Sequence, residues 1–384
     1  MSRNLKSRGS NPPQVWIVAP SPPPYGGMSV QAEKLTRKLA SQGIAAELIP
    51  TNPALPGPLK ALERIPIIRT ILREIQYLIS LARIIRDPGL GDPGVVHHFS
   101  ASYLFFFLHS APLLLLGRFC GAKIVLNYRG GQAADFLRSW SWAALPLLRR
   151  ADQIVVPSEF LQRVFQDFGF ASTLLPNIAD TELFPFVERR QFSPRLFVSR
   201  SLEPMYDVEC VLCAFQKVQC RFPRAVLGVA GDGSEASRLS SLAREWGLHG
   251  VSFYGAVPHE ELPSLYRQHD IYVNASRVDN FPGALVEAAC AGLPIVTTRA
   301  GGIREMIRHG ENGLLCDVGD ADALANNVLE ILENQALARQ LAQNARSWAE
   351  QFSWRNVFPQ LLQCYGLASE HSIPALESDQ ILAH

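Results

Sequence analysis

Short runs of continuous apolar residues recur along this chain, each ending in a turn and followed by a helix-length amphipathic stretch. Gln14–Ala19, Ile44–Ile49, Val95–Phe99, Lys123–Asn127 and Gln153–Val156 are of this kind. After a break the pattern resumes at LFVSR (196–200), AVLGVAGDG (225–233), VSFYGAV (251–257), DIYVNAS (270–276), PIVTT (294–298) and GLLCD (313–317). Strands that are apolar throughout, rather than at alternate positions, are buried on both faces, as the central strands of parallel sheets are. Parallel neighbours need a crossover connection, so the helix-length stretches are what such sheets require. Strand–helix–strand order in two blocks predicts an α/β chain of two doubly wound, Rossmann-like domains in tandem.

The break is LLPNIADTELFPFVERRQFSPR, Leu174 to Arg195, rich in proline and charge and without periodicity. We place the first domain at residues 1–180, a linker at 181–195 and the second domain at 196–352. Asp320–Phe352 reads as helical, 353–368 as one more helix, and the polar stretch 369–384 as a loose tail. At 384 residues, 47% hydrophobic and 18% charged, the chain can bury two cores and is not a solvated, disordered one.

A formal net charge of +1 gives no support to a nucleic-acid partner. The seven cysteines form no paired framework; Cys210 and Cys213 make a C-x-x-C inside what reads as a buried helix, and no second pair stands at zinc spacing. A reducing compartment follows. MSRNLKSRGSNPPQ lacks the apolar core of a signal peptide. Pro93 to Gly117 contains no Asp, Glu, Lys or Arg, but His97, His98, His109 and Pro112 interrupt it, and it divides into a strand and a core helix. We therefore expect a cytoplasmic protein, free or peripheral on the inner membrane face. Residues 60–86 carry Ile and Leu at helical spacing with Lys60, Arg64, Arg69, Arg73, Arg83 and Arg86 between them. They are either an amphipathic core helix with a basic polar face, or a basic face laid on anionic lipid headgroups.

In doubly wound sheets ligands bind beyond the carboxyl ends of the strands. Gly26 and Gly27 follow the first strand and open a helix, where backbone amides can approach phosphate oxygens. Gly231, Asp232 and Gly233 follow a strand of the second domain and alone would be a strand-to-helix turn. Asp279 and Asn280 precede Phe281-Pro282-Gly283, which opens a helix whose free amides and dipole favour an anion. Within that helix Glu287 stands among apolar residues and needs hydrogen-bond donors. A ribose diol fits two carboxylate oxygens; an arginine such as Arg304 is the structural alternative.

These segments, taken in order, resemble retaining glycosyltransferases of family four. The resemblance is carried by PYGGMSVQAEKLTRKL, NYRGG, VVPSEFLQRVFQDFG, LLPNIAD, VAGDG, LYRQHDIYVNAS, DNFPGALVEAACAGLPIVTT and GGIREMIRHGENGLL. It implies the GT-B architecture, two facing Rossmann-like domains with a cleft between them, and a last helix that returns to the first domain. It further implies transfer of a sugar from a nucleoside diphosphate, such as a UDP- or GDP-sugar, to an acceptor with retention at the anomeric carbon and no metal or other cofactor.

Carried over residue by residue, Glu287 binds the donor ribose and Asp279 the transferred sugar, with Asp in place of the family's glutamate. The backbone after Asn280, through Phe281, Pro282 and Gly283, meets sugar and diphosphate, with the N–H groups of Phe281 and Gly283 as its donors. Gly26 and Gly27 approach from the other domain, and Gly231, Asp232 and Val257 complete the donor set. Arg200 neutralises the leaving diphosphate. Two positions depart from the family: Met205 stands where a lysine is usual, and Arg129 where the first domain often has a histidine. Arg129 could restore the missing charge from across the cleft. His97 is either a cleft residue touching acceptor or a packed core histidine. Asp320 and Asp322 mimic a metal-binding D-x-D but open a helix, where capping explains them. The acceptor expected from residues 60–86 is a lipid-linked or cell-envelope glycan. Two rivals stand beside the transferase: an epimerase of similar fold, drawing acid–base groups from His97, His98 and Asp135, and a donor-binding scaffold weakened at Met205.

Overall fold

The computed structural model describes residues 15–22, 27–55, 57, 65–86, 94–117 and 121–367. Lys60, Arg64, Gly26 and the tail 369–384 lie outside the described residues. The first domain holds β1 (Val15–Ala19), α1 (Gly27–Ser41), β2 (Ala46–Pro50), α2 (Pro66–Arg86), β3 (Val95–Ser100), α3 (Ala111–Leu116), β4 (Lys123–Tyr128), α4 (Ala133–Ser139), α5 (Ser141–Leu148), β5 (Gln153–Val156), α6 (Glu159–Asp167) and β6 (Thr173–Leu174). Its six strands run parallel in the order β2-β1-β3-β4-β5-β6.

The second domain holds β7 (Arg195–Ser199), α7 (Val208–Arg221), β8 (Val226–Ala230), α8 (Ala236–Glu245), β9 (Val251–Gly255), α9 (Leu262–Gln268), β10 (Ile271–Asn274), α10 (Gly283–Cys290), β11 (Ile295–Thr298), α11 (Ile303–Met306), β12 (Leu314–Cys316), α12 (Ala321–Glu333) and α13 (Gln335–Glu350), followed by α14 (Trp354–Tyr365). Its six strands are also parallel, in the order β12-β11-β10-β7-β8-β9. This is the expected two-domain Rossmann-like α/β architecture of the GT-B type.

Each strand order reverses once, between β1 and β3 in one sheet and between β7 and β10 in the other. A ligand crevice opens where neighbouring connections leave on opposite faces. The loops that begin at Arg200 and Ala275 therefore flank the crevice of the second domain.

Local chemistry accounts for where the elements depart from the sequence pattern. β2 starts at Ala46, after the expected Ile44, because Gly43 takes φ +76° beyond α1 and the chain needs that turn before it can extend. Pro66 opens α2, since the first helical position needs no N–H partner. Asp320–Phe352 is two helices, split where Asn334 accepts the Leu337 amide at 3.1 Å and caps α13. Asp320 does the same for α12, accepting Ala323 N–H at 2.8 Å.

α14 packs Val357, Phe358, Leu361 and Leu362 into the same cluster as β1, β3 and α1, so the end of the chain lies against the first domain. α2, α3, α5 and α6 cover the other face of that sheet. Among the described residues no helix is long and apolar enough to cross a membrane.

Candidate functional site

The loop between β10 and α10 is seated by backbone packing as much as by its own residues. Gly302 N–H donates to the Asp279 carbonyl at 2.9 Å. Gly301 takes φ +49°, and a Cβ on it would run into the Asp279 carbonyl oxygen; one on Gly302 would run into that of Asn280. Any side chain here would push the loop out of place. A buried polar chain fixes the strand ends beneath it: Asn274 donates to Thr297 at 2.9 Å, Ser276 to Asn274 at 2.9 Å, and Thr298 to the Ser276 carbonyl at 2.6 Å.

Asp279 and Arg200 meet directly. One Asp279 oxygen forms a close ion pair with Arg200 Nη2, and the other accepts the Asn280 amide at 2.8 Å. The Arg200 guanidinium lies over the Tyr206 ring, 4.1 Å from its centroid. Burial by itself would lower the Arg200 pKa; Asp279 and the surrounding tyrosines outweigh it and hold the pKa above the ordinary value. The Nε of Arg200 is buried with no hydrogen-bond partner among the described residues.

Gly231 supports this arginine from below. It takes φ +146° and leaves no room for a Cβ against the Arg200 carbonyl. Asp232 accepts the Leu202 amide through its carbonyl at 3.0 Å. These two residues build the floor of the Arg200 loop, and Val257 packs against the α10 cluster.

Glu287 is not paired with Arg304, the protein partner considered from sequence. Arg304 donates instead to the Gly301 carbonyl at 3.2 Å. The Glu287 carboxylate lies between His259 Nε2 and the Tyr266 hydroxyl, each at 3.1 Å. Burial works to raise its pKa, but His259, Lys34 and Tyr266 together bring it below the ordinary value, so it is ionised at neutral pH. A carboxylate offers about four acceptor positions; these two contacts leave room for more donors. Neither His259 nor Tyr266 was assigned a role from sequence, although Tyr266 sits in LYRQHDIYVNAS. A glutamate in an otherwise apolar helix was the signal, and it did not name the donors.

The start of α10 has Pro282 before it, no side-chain cap and no acidic residue in its first turn. Leu285 N–H turns back to the Pro282 carbonyl at 3.1 Å, which leaves the Gly283 and Ala284 amides at the head of the helix, where an anion is favoured. Two residues of this loop reach across the cleft: Asn280 Nδ2 donates to the Arg129 carbonyl at 3.4 Å, and the Phe281 carbonyl accepts Asn177 Nδ2 at 3.5 Å. Gly27 opens α1 with open space in front of the position a Cβ would take. A further bridge, unforeseen, joins Glu305 to the Phe160 amide and Arg163 of α6.

Arg129 ends β4. Its guanidinium donates to Asn127 at 3.2 Å and, closely, to Asn177, and stacks over Phe99 at 4.6 Å. No carboxylate pairs with it among the described residues, and burial lowers its pKa to about 9, leaving it charged at neutral pH. It is a cation held by neutral amides.

His97 is fully buried and lies in the wall of a small pocket behind Arg129, lined also by Gln31, Phe99 and Asn127. Arg129 orients the Asn127 amide, so Asn127 Nδ2 donates to His97 Nε2 at 3.0 Å and His97 Nδ1–H donates to Tyr365 at 2.9 Å. Of the two sequence readings the packed core histidine describes it, because both ring nitrogens are engaged inside the protein. It acts behind Arg129 and ties α14 to β3. His98 is equally buried, between the Val18 carbonyl at 3.0 Å and Ser110 at 2.8 Å. Burial pushes both rings down to about 3. Their folded pKa lies below the unfolded value, so their contribution to stability is complete above pH ~6.5 and is lost as pH falls towards 3. At pH ~5 each ring costs about 2 kcal/mol. Melting temperatures at neutral pH and at pH ~5 should differ less in His97→Gln than in the wild type; equal differences would refute this origin of acid sensitivity.

Comparison with known proteins gives the arrangement a family. Residues 25–183 match the profile described as Glycosyltransferase Family 4, and residues 180–348 that described as Glycosyl transferases group 1. The chain belongs to this glycosyltransferase family. The glycogen synthase of Mycobacterium tuberculosis is 30% identical over 57% of this chain and 55% of its own length; the chain thus spans about half of that relative. The GDP-mannose-dependent alpha-(1-6)-phosphatidylinositol monomannoside mannosyltransferase of Mycolicibacterium smegmatis is 28% identical over 64% of this chain and 72% of that protein. Among solved structures, Anabaena Alr3699/HepE in complex with UDP superposes with a TM-score of 0.70 at 18% identity, covering 92% of this chain and 99% of that one. At that identity the likeness speaks for the GT-B fold.

Proposed function

We propose that this glycosyltransferase moves a sugar from a nucleoside diphosphate to an acceptor with retention of anomeric configuration, the donor lying against the second domain. The observation that carries the reading is the unpartnered Arg200 Nε, a buried donor on a fixed cation beside the uncapped start of α10. An anion is what such a pair of groups recognises. One turn into α10, ionised Glu287 takes the ribose hydroxyls while His259 and Tyr266 hold it in place. The UDP in the complex of Anabaena Alr3699/HepE, a protein of the same fold, supports a nucleoside diphosphate here.

In the reaction the bond between the anomeric carbon and the diphosphate oxygen breaks and the acceptor oxygen forms the new one on the same face. The acceptor proton passes to the departing phosphate, so no protein base is needed. The charge on that phosphate is met by Arg200, by the α10 amides and by Arg129, without a metal ion. Asp279 keeps Arg200 in position and lies where it can accept a sugar hydroxyl. Closure of the two domains, bridged by Asn280, Asn177 and Glu305, excludes water. The acceptor in this reading is a lipid-linked glycan; the phosphatidylinositol mannoside named for the Mycolicibacterium relative supports that class.

The epimerase alternative loses its acid–base groups. His97 and His98 are buried, and Asp135 is exposed beside Arg138. The scaffold alternative differs in turnover alone.

A thermal-shift panel of UDP, GDP, ADP and dTDP on the wild type and Glu287→Ala tests the donor site. A diphosphate at ~100 times its Kd adds about 2.7 kcal/mol of stability. One of the four is expected to stabilise the wild type, with most of the shift lost in Glu287→Ala and part of it in His259→Ala. An equal shift in wild type and Glu287→Ala removes the ribose role. Release of the same diphosphate from the matching sugar nucleotide, with the product's anomeric configuration read by NMR, then separates transferase from scaffold.

A further inference from the structure

We propose that the outer face of α2 docks in the plane of an anionic lipid bilayer. The helix buries Tyr77, Leu81 and Ile84 towards the sheet, and the Tyr77 hydroxyl donates to the His109 carbonyl at 2.7 Å. Its opposite side carries Ile67, Ile71, Ile75, Leu78 and Ile79, exposed by 74, 54, 49, 42 and 48%. Spaced by three and four residues, they form one stripe along the helix. A helix on a water-facing surface places charge there. Here the sequence periodicity is satisfied twice, once towards the core and once away from it.

Charge decides what covers the stripe. Glu74 is the one carboxylate of α2, and it turns inward to His109 Nε2 at 2.8 Å. The outward half of the helix therefore presents no negative group, while Arg69 and Arg83 flank it. Two copies packed stripe to stripe would set these arginines against each other, whereas anionic headgroups accept them. The apolar surface also continues beyond α2. α3 packs between α2 and α5, and Leu115 and Leu116 of α3 and Trp142 of α5 are exposed, the indole by 76%. An indole at the border of an apolar stripe suits the headgroup level of a bilayer.

The basic-face alternative drawn from the sequence thus takes a different form: aliphatic side chains enter the acyl boundary and the arginines stay at the rim. α2 leads into β3 from the amino edge of the sheet, so its first turns, with Ile67 and Ile71, lie towards the carboxyl edge and the cleft. Docking brings the cleft mouth to the membrane surface. That consequence rests on the lipid-linked acceptor proposed above, whereas the docking itself does not.

The test is flotation of the full chain with vesicles of phosphatidylcholine alone and of phosphatidylcholine mixed with phosphatidylglycerol. The wild type is expected to float with the mixed vesicles. Ile71→Ser/Ile75→Ser should weaken partitioning on the order of 100-fold, and Arg69→Gln/Arg83→Gln should abolish the preference for phosphatidylglycerol. All four side chains lie outside the core, and melting curves check that the variants stay folded. The diphosphate-induced thermal shift should persist in both, so loss of flotation with an intact shift concerns this surface alone. A wild type that stays with the soluble fraction overturns the proposal. So does self-association that Ile71→Ser/Ile75→Ser removes while flotation is unchanged, which would make a second copy the occupant.

Discussion

Arg129→Ala is expected to lower turnover roughly 10²–10³-fold while changing donor affinity far less. The reason lies in an imbalance of charge at the cleft. Family members usually set a lysine beside the diphosphate at the position of Met205, which here is exposed by 45% on the turn next to Tyr206. Arg200 remains, but Asp279 already neutralises part of it. Arg129 is the opposite case, a charged group whose partners are the neutral amides of Asn127 and Asn177 and the face of Phe99. A half-buried cation without a counter-ion is costly in the free protein and is relieved by an arriving anion. In the proposed reaction the negative charge on the diphosphate grows as the glycosidic bond breaks, so the effect should fall on kcat more than on KM. Adding Met205→Lys to Arg129→Ala should recover part of the loss, since it returns a cation to the family's position. Full activity in Arg129→Ala would remove the arginine from the mechanism. No recovery in the double variant would show that position and geometry, rather than charge alone, matter there.

The places of Arg200 and Asp279 beyond strand ends and of Glu287 inside a helix were legible in the sequence, because offsets from a strand end or helix start survive in a linear reading. Their partners were not. His259 and Tyr266 reach Glu287 from a different turn and helix, 28 and 21 residues away, and nothing local in VPHEEL or LYRQHD marks them as its donors. His97 shows the converse limit. A histidine at the end of a parallel strand looks the same on paper whether it faces the cleft or the core, and Tyr365, 268 residues later, decides it. The fold itself was more readable, since doubly buried strands can belong to few architectures. Breaks set by a single capping side chain, such as that at Asn334, were not.

The linker hides a charge network that controls stability more than its composition suggests. Asp270→Ala is expected to destabilise the second domain by about 3–5 kcal/mol. Asp270 is 0% exposed at the amino edge of β10. One of its oxygens accepts Arg189 Nε and Arg195 Nη2, both at 3.1 Å; the other accepts Arg195 Nε at 2.7 Å and the Ser193 amide at 3.0 Å. Arg189 is buried too, and it spends its remaining protons on the carbonyls of Val187, Tyr266, His269, Ala291 and Gly292. Burial lowers its pKa even against the pull of Asp270. Removing the carboxylate leaves that guanidinium in the interior with no counter-charge, and the linker loses its anchor to β10. At about 2–4 °C per kcal/mol for a domain of this size, the melting temperature should fall by roughly 10 °C. Asp270→Asn keeps an acceptor oxygen and should cost less, whereas Arg195→Ala, which removes the half-exposed partner, should cost least. The order Ala at 270, then Asn at 270, then Ala at 195 can be read by calorimetry. A melting temperature for Asp270→Ala within about 2 °C of the wild type would mean that water or a rearranged Arg189 replaces the carboxylate, and that the linker is held by its apolar contacts alone.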